Sequence, residues 1–239
     1  MRFAGITPAV TTPFDRTGAI DFEGLDRNVR FLLDAGVHGI VATGTMGEAG
    51  SLGADEREIE HHFRTIASAG GLPLMLYNNP EASGTDMAPD LIARLARGVD
   101  EIVAVKECSG DARRIAALLN ETDDLDVLVG GDDWALEGFC ASADGWVSGV
   151  ADVAPRECIE LWERCRAGEL ERAREIYWRL LPLSRFDMTP KLVQYFKAAM
   201  DETGLAGGHC RPPRLPLTDD ERADLRQALS VLREESLTA

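Results

Sequence analysis

Apolar residues along the chain follow two alternating patterns. Short, β-branched runs at Phe3 to Val10, Val37 to Thr43, Leu72 to Tyr77, Ile102 to Lys106, Leu125 to Val129 and Gly145 to Val150 each predict a strand. Between and after them, apolar positions recur every three or four residues over Phe22 to Ala35, Ala54 to Ala67, Ala88 to Arg97, Asp111 to Asn120, Trp134 to Ala141 and Arg156 to Arg166, so a helix is expected after every strand. Strands that are apolar on both faces and separated by helices imply a parallel sheet covered by helices, either doubly wound or closed into a barrel. A dinucleotide-binding sheet would carry G-x-G-x-x-G after its first strand; Gly5-Ile6-Thr7-Pro8 offers nothing like it, and the α/β barrel is favoured. Beyond the sixth βα unit the pattern becomes all helical, over Leu170 to Leu181, Pro190 to Thr203 and a last helix opened by the capping box Thr218-Asp219-Asp220-Glu221. Arg211-Pro212-Pro213-Arg214-Leu215-Pro216 reads as an extended connector. The expected organisation is an α/β body over residues 1–167 and a C-terminal helical region over 168–239.

Composition narrows the function. Apolar residues make up 45% of the 239, enough for a sizeable core and too many for a disordered chain. No apolar run approaches the ~18 residues of a membrane span, and Met1 to Val10 lacks the pattern of a secretion signal, so a cytoplasmic protein is expected. The formal charge of −16 has the wrong sign for neutralising nucleic-acid phosphates. The five cysteines, Cys108, Cys140, Cys158, Cys165 and Cys210, form no C-x-x-C pair, and His38, His61, His62 and His209 show no ligand spacing. Neither a disulfide framework nor a metal site is expected.

Three of the 25 basic residues are lysines: Lys106, Lys191 and Lys197. Lys106 ends the run Ile102-Val103-Ala104-Val105-Lys106, at the strand end where α/β barrels place catalytic groups. In a chain that prefers arginine, a lysine here suggests that deprotonation matters, because a desolvated amine can lose its proton and attack a carbonyl. The alternative is a strand-end lysine that reaches solvent or pairs with Glu107. Tyr77 ends the strand Leu72 to Tyr77 before the turn Asn78-Asn79-Pro80, where a phenol can relay protons; packing at the barrel mouth is the competing reading. Thr43-Gly44-Thr45-Met46-Gly47-Glu48 follows another strand, and its backbone amides can form a nest for a carboxylate or phosphate, or simply a tight connection.

Taken together, Gly44-Thr45-x-Gly47-Glu48, Leu76-Tyr77-Asn78-x-Pro80, Val105-Lys106-Glu107-x-Ser109-Gly110, Gly131-Asp132-Asp133 and Gly145-x-x-Ser148-Gly149 resemble the dihydrodipicolinate synthase and N-acetylneuraminate lyase family. That resemblance implies a (β/α)8 barrel followed by C-terminal helices, here reduced to about six βα units, with no cofactor and a homo-oligomeric state. It also implies that Lys106 forms a Schiff base with a 2-oxo acid, that Tyr77 moves protons to and from the adduct, and that the Thr45 hydroxyl links the relay. By the same resemblance the amides of Thr45 and Met46, with Gly44, clamp the substrate carboxylate, and the Val147 carbonyl lies beside the bound keto acid. Ala82 stands where the synthases of the family carry an arginine for a second carboxylate. The runs Met75 to Pro80, Gly145 to Gly149 and Arg211 to Leu217 look more like the branch of 1-pyrroline-4-hydroxy-2-carboxylate deaminases, which dehydrate and deaminate a cyclic imino acid. Three readings follow from this: such a deaminase, a dihydrodipicolinate synthase or other pyruvate-dependent aldolase, and a barrel that has lost turnover and binds or regulates.

Relative to that family, two βα units are missing. Leu52 to Glu60 looks like the start of the second helix of the family and His62 to Ala67 like the end of the fourth. The fused segment keeps Ile59, Phe63, Ile66 and Ala67 on one face, as a single amphipathic helix requires. The lost part carries the third relay group of the family, a tyrosine offered by a neighbouring subunit, and neither Tyr177 nor Tyr195 stands in a matching context. Because closure at six strands changes the tilt and shear of the whole sheet, the two strands flanking the fused helix are expected to stay apart in an open or distorted body.

Overall fold

The computed structural model describes residues 17, 20–34, 40–41, 56–205, 207–210 and 213–233. The first expected strand, Phe3 to Val10, lies outside the described residues. Helix α1 (Phe22–Asp34) precedes strand β1 (Ile40–Val41), and α2 (Glu56–Gly70) leads to β2 (Leu74–Asn78). After the short helix α3 (Pro80–Ser83) come α4 (Pro89–Gly98), β3 (Ile102–Glu107), α5 (Arg113–Glu121), β4 (Asp126–Val129), α6 (Ala135–Cys140) and β5 (Gly145–Trp146). Helices α7 (Pro155–Arg166), α8 (Leu170–Ser184), α9 (Leu192–Glu202) and α10 (Asp219–Arg233) follow.

The chain divides into two compact units, one holding residues 1–130 and 143–146, the other 131–142 and 147–239. In the first unit the strands form a parallel sheet in the order β1-β2-β3-β4-β5, with β1 and β5 as its edges among the described residues. Leu74, Leu76, Ile102, Ala104, Val105, Val127 and Val129 fill its core with Leu91, Ile92 and Leu95 of α4 and Ile115 and Leu118 of α5. β2 and β3 are buried on both faces over most of their length, which is why their sequences read as continuous apolar runs, whereas in β4 Val127 and Val129 are buried and Asp126 and Leu128 only partly so.

The expectation that the strands on either side of the fused helix would stay apart is corrected here. β1 pairs directly with β2 in parallel, Ile40 opposite Leu74 and Val41 opposite Met75. The reason lies in where the missing segment begins and ends. A cut from one helix into another leaves a single helix between two parallel strands, the ordinary βαβ unit, and α2, 15 residues and ~22 Å long, is ample to return the chain. Pairing also removes two bare sheet edges that water or another chain would otherwise have to cover. α2 buries Ile59, His62, Phe63, Ile66 and Ala67, so the periodicity across the junction holds.

A second correction concerns the last strand. The run Gly145 to Val150 is strand only as far as Trp146, and residues Val150–Asp152 form a short 3-10 turn. The Val150 amide donates to Asp132 Oδ2 at 2.7 Å and the Ala151 amide to Ser148 Oγ at 3.0 Å, which takes these donors out of any ladder.

In the second unit α7 packs on α8, and α10 packs on α8 and α9. The capping box of α10 is formed reciprocally: Thr218 N donates to Glu221 Oε2 at 2.8 Å, and Glu221 N to Thr218 Oγ1 at 3.3 Å. Among the described residues no helix is long and apolar enough to cross a membrane, and no cluster of His, Cys, Asp and Glu could hold a metal ion.

Candidate active site

Strands β2 and β3 run in register, with Tyr77 opposite Lys106 and Asn78 opposite Glu107. Since successive side chains in a strand point to opposite faces, Tyr77 and Lys106 share one face and Asn78 and Glu107 the other. The first pair is partly exposed and the second buried. Lys106 Nζ sits 4.5 Å from the centre of the Tyr77 ring, within cation–π distance. Among the described residues Lys106 forms no ion pair. Pairing with Glu107 does not occur, because the Glu107 carboxylate lies behind the sheet and accepts from Asn78 Nδ2 at 3.0 Å and from the Ser109 amide at 2.7 Å.

That buried network fixes the ends of both strands. Asn78 Oδ1 accepts from the Met87 amide at 3.0 Å, and its Nδ2 also reaches Asp86 Oδ1 at 3.3 Å. Asp86 pairs with Arg114 at 2.6 Å, and this guanidinium holds the Asp86 carboxyl below the usual carboxylate range. The Gly130 amide donates to the Glu107 carbonyl at 2.7 Å; a Cβ on Gly130 would lie 2.6 Å from that oxygen and from Cys108 Cβ, so the approach of β4 to the end of β3 needs glycine. Sequence reasoning missed Asn78, Asp86, Glu107 and Arg114 as a unit, although Glu107 at the end of a buried strand was an available signal. Replacing Glu107 by alanine is expected to cost about 3 kcal/mol, because a buried Asn78 proton and the Ser109 amide lose their acceptor, and Glu107→Gln about half as much. Urea unfolding midpoints check this; equal costs for the two variants would show that the carboxylate oxygens are not what matters.

Tyr77 Oη accepts from Asn79 Nδ2 at 2.7 Å, and Asn79 Oδ1 caps α3 by accepting from the Ala82 amide at 3.1 Å. Ala82 is exposed on α3. Gly44, Thr45 and Met46 lie outside the described residues. Val147 belongs to the second unit, directly after β5, and is 37% exposed. In that unit Asp132 of Gly131-Asp132-Asp133 is fully buried and, through Val150, ties this motif to the end of Gly145-x-x-Ser148-Gly149. Tyr177 donates to the Asp133 carbonyl, and burial pushes its phenol up from the ordinary value. Tyr195 stacks on Phe186 with ring centres 4.0 Å apart. Both tyrosines are packed within the second unit.

The chain matches the model of the Dihydrodipicolinate synthetase family over residues 2–59 and 54–232. It belongs to that family. The two matched stretches meet at residues 54–59, where α2 begins, so the break relative to the family falls in the fused helix. Among curated proteins, the chain is 32% identical to a 4-hydroxy-tetrahydrodipicolinate synthase of Methanothrix thermoacetophila, covering 96% of this chain and 97% of that protein. A 4-hydroxy-tetrahydrodipicolinate synthase of Methanopyrus kandleri is also 32% identical, over 95% of this chain and 96% of its own length. Both alignments run over 287 positions, more than the 239 residues here, so these relatives carry residues without a counterpart in this chain. Among solved structures, a dihydrodipicolinate synthase of Bacillus anthracis superimposes with a TM-score of 0.72 at 27% identity, over 96% of this chain and 98% of that one. The fold is accordingly the α/β barrel type of this lyase family in a shortened form.

Proposed function

We propose that the chain is a Schiff-base lyase in which Lys106 is the nucleophile and Tyr77 the proton relay, acting on a 2-oxo acid or a cyclic imino acid. The observation that carries this reading is the pair itself: an amine with no carboxylate partner among the described residues, held over a phenol on the adjacent strand. The neutral amine adds to the carbonyl carbon and forms a carbinolamine. The carbinolamine hydroxyl takes a proton and leaves as water, and the resulting iminium draws electrons from the neighbouring carbon. A hydroxyl within reach of the adduct can supply and recover the protons these steps move, and we assign that role to Tyr77, whose ring lies under the Lys106 amine. Borohydride trapping with pyruvate, read by peptide mass spectrometry, tests the assignment. A covalent increment on the Lys106 peptide is expected, and an increment on Lys191 or Lys197 alone would overturn it.

Two readings of the full substrate each rest on a separate observation. Ala82 favours dehydration and deamination of 1-pyrroline-4-hydroxy-2-carboxylate, since an alanine cannot replace the bidentate grip of an arginine on a second carboxylate. The names of the curated relatives favour condensation of pyruvate with aspartate semialdehyde, as a 4-hydroxy-tetrahydrodipicolinate synthase. Assays of both substrates on one preparation decide between them. Turnover of the pyrroline carboxylate with poor use of the semialdehyde is the expected result, and a clear preference for the semialdehyde would sink the deaminase reading.

A further inference from the structure

We infer that Asn79 is a positioning residue for the Tyr77 hydroxyl, an inference that rests on Tyr77 being the proton relay. The Asn79 side chain is engaged at both ends. Its Oδ1 accepts from the Ala82 amide at 3.1 Å and its Nδ2 donates to Tyr77 Oη at 2.7 Å. The residue itself is held by the turn it opens, because its carbonyl accepts from the Ser83 amide at 2.9 Å and from Ser83 Oγ at 2.8 Å. The helix cap also fixes which way round the amide lies. A flipped amide would set an N–H against the Ala82 N–H, so the oxygen must face Ala82 and the nitrogen must face the phenol.

This orientation decides what the phenol can do. With the amide N–H on one acceptor site of Oη, the phenol keeps its own O–H for another acceptor, and among the described residues Asn79 is its one hydrogen-bond partner. The hydroxyl is thereby held by the short helix that follows β2 with its proton left to give, the state a relay needs before it protonates a carbinolamine. Asn79 touches neither Lys106 nor any reacting atom in this arrangement, and it acts through Tyr77.

Asn79→Asp and Asn79→Ser separate this role from helix capping, because both side chains cap as well as asparagine, whereas an aspartate carboxylate has no proton to donate and a serine, with one oxygen on a shorter side chain, has no second polar atom to present to the phenol while it caps. The probe is pyruvate, and the readout is the rate of the borohydride-trapped Lys106 adduct against pyruvate concentration and pH. Both variants are expected to keep the thermal midpoint of the parent and to lose about 10- to 100-fold in the saturating rate. In Asn79→Ser the pyruvate concentration for half-saturation should stay within about threefold of the parent. In Asn79→Asp the alkaline limb of the pH profile should move up, since a carboxylate beside the phenol opposes its ionisation. Variants with parental rates and an unshifted pH profile, beside a slow Tyr77→Phe, would overturn the role of Asn79 alone. A Tyr77→Phe as fast as the parent, or a parent that traps no adduct, would overturn the Tyr77 reading and this inference with it. A loss in Asn79→Asp that Asn79→Ser does not share would mark a charge effect and also overturn it.

Discussion

Lys106→Arg is expected to abolish the trapped pyruvate adduct and to lower turnover by roughly 10³-fold or more, the scale on which an enzyme loses its covalent nucleophile. A guanidinium stays protonated at any working pH and therefore has no lone pair to attack a carbonyl, whereas an amine can supply one. Folding should survive the change. The side chain is only partly buried and makes no ion pair among the described residues, and a guanidinium stacks on the Tyr77 ring at least as well as an ammonium. Urea midpoints for parent and variant should agree within about 1 kcal/mol. Mass spectrometry after pyruvate and borohydride is the direct check. Persistence of the Lys106-region increment in the variant would mean that the nucleophile lies elsewhere.

The second large effect is expected at His62 on the fused helix. This side chain is 1% exposed, and among the described residues neither ring nitrogen has a hydrogen-bond partner. Burial holds its pKa down at about 4, with the neighbouring His61 adding to the shift, against 6.5 for an ordinary histidine. Because the folded state binds the proton less readily than the unfolded chain, stability is complete above pH 6.5 and is lost as pH falls from 6.5 toward 4. A shift of this size corresponds to about 3 kcal/mol between the two ends of that window. His62→Leu fills a similar volume without titrating or carrying orphaned nitrogens. It should raise the urea midpoint at every pH and flatten its fall between pH 6.5 and 4 relative to the parent. Parallel curves for parent and variant would show that His62 does not titrate across unfolding.

Much of the body was legible in the sequence because β2 and β3 are buried on both faces over most of their length and the helices are amphipathic. Predicted and observed helices agree to within a few residues for α1, α2, α4, α5 and α7. Lys106 and Tyr77 could be picked out because each ends an apolar run, yet their register across two strands is a long-range fact that no local pattern contains. The turn at Asn78-Asn79-Pro80 was visible, but α3 was not: four residues are too few for helical periodicity, and its cap depends on a side chain reaching back from Asn79. Val150 was misread for a similar reason, since the bond that draws its amide away comes from Asp132, eighteen residues earlier. The wrong expectation for β1 and β2 came from reasoning about the ring as a whole, where the local βαβ unit was the stronger constraint.

The direct pairing of β1 with β2 bears on how such a sheet tolerates shortening. In a barrel of parallel strands, interior layers are filled by alternate strands, odd-numbered strands serving one layer and even-numbered strands the next. Removal of one strand would bring two of the same parity side by side and set their inward side chains at the same height, leaving gaps in one layer and crowding in another. Removal of two keeps the alternation intact across the seam. A chain shortened by a pair of βα units therefore joins its remaining strands with odd and even still alternating, so β2 and β3, which carry Tyr77 and Lys106 on one face, keep the neighbour parity of the longer barrel.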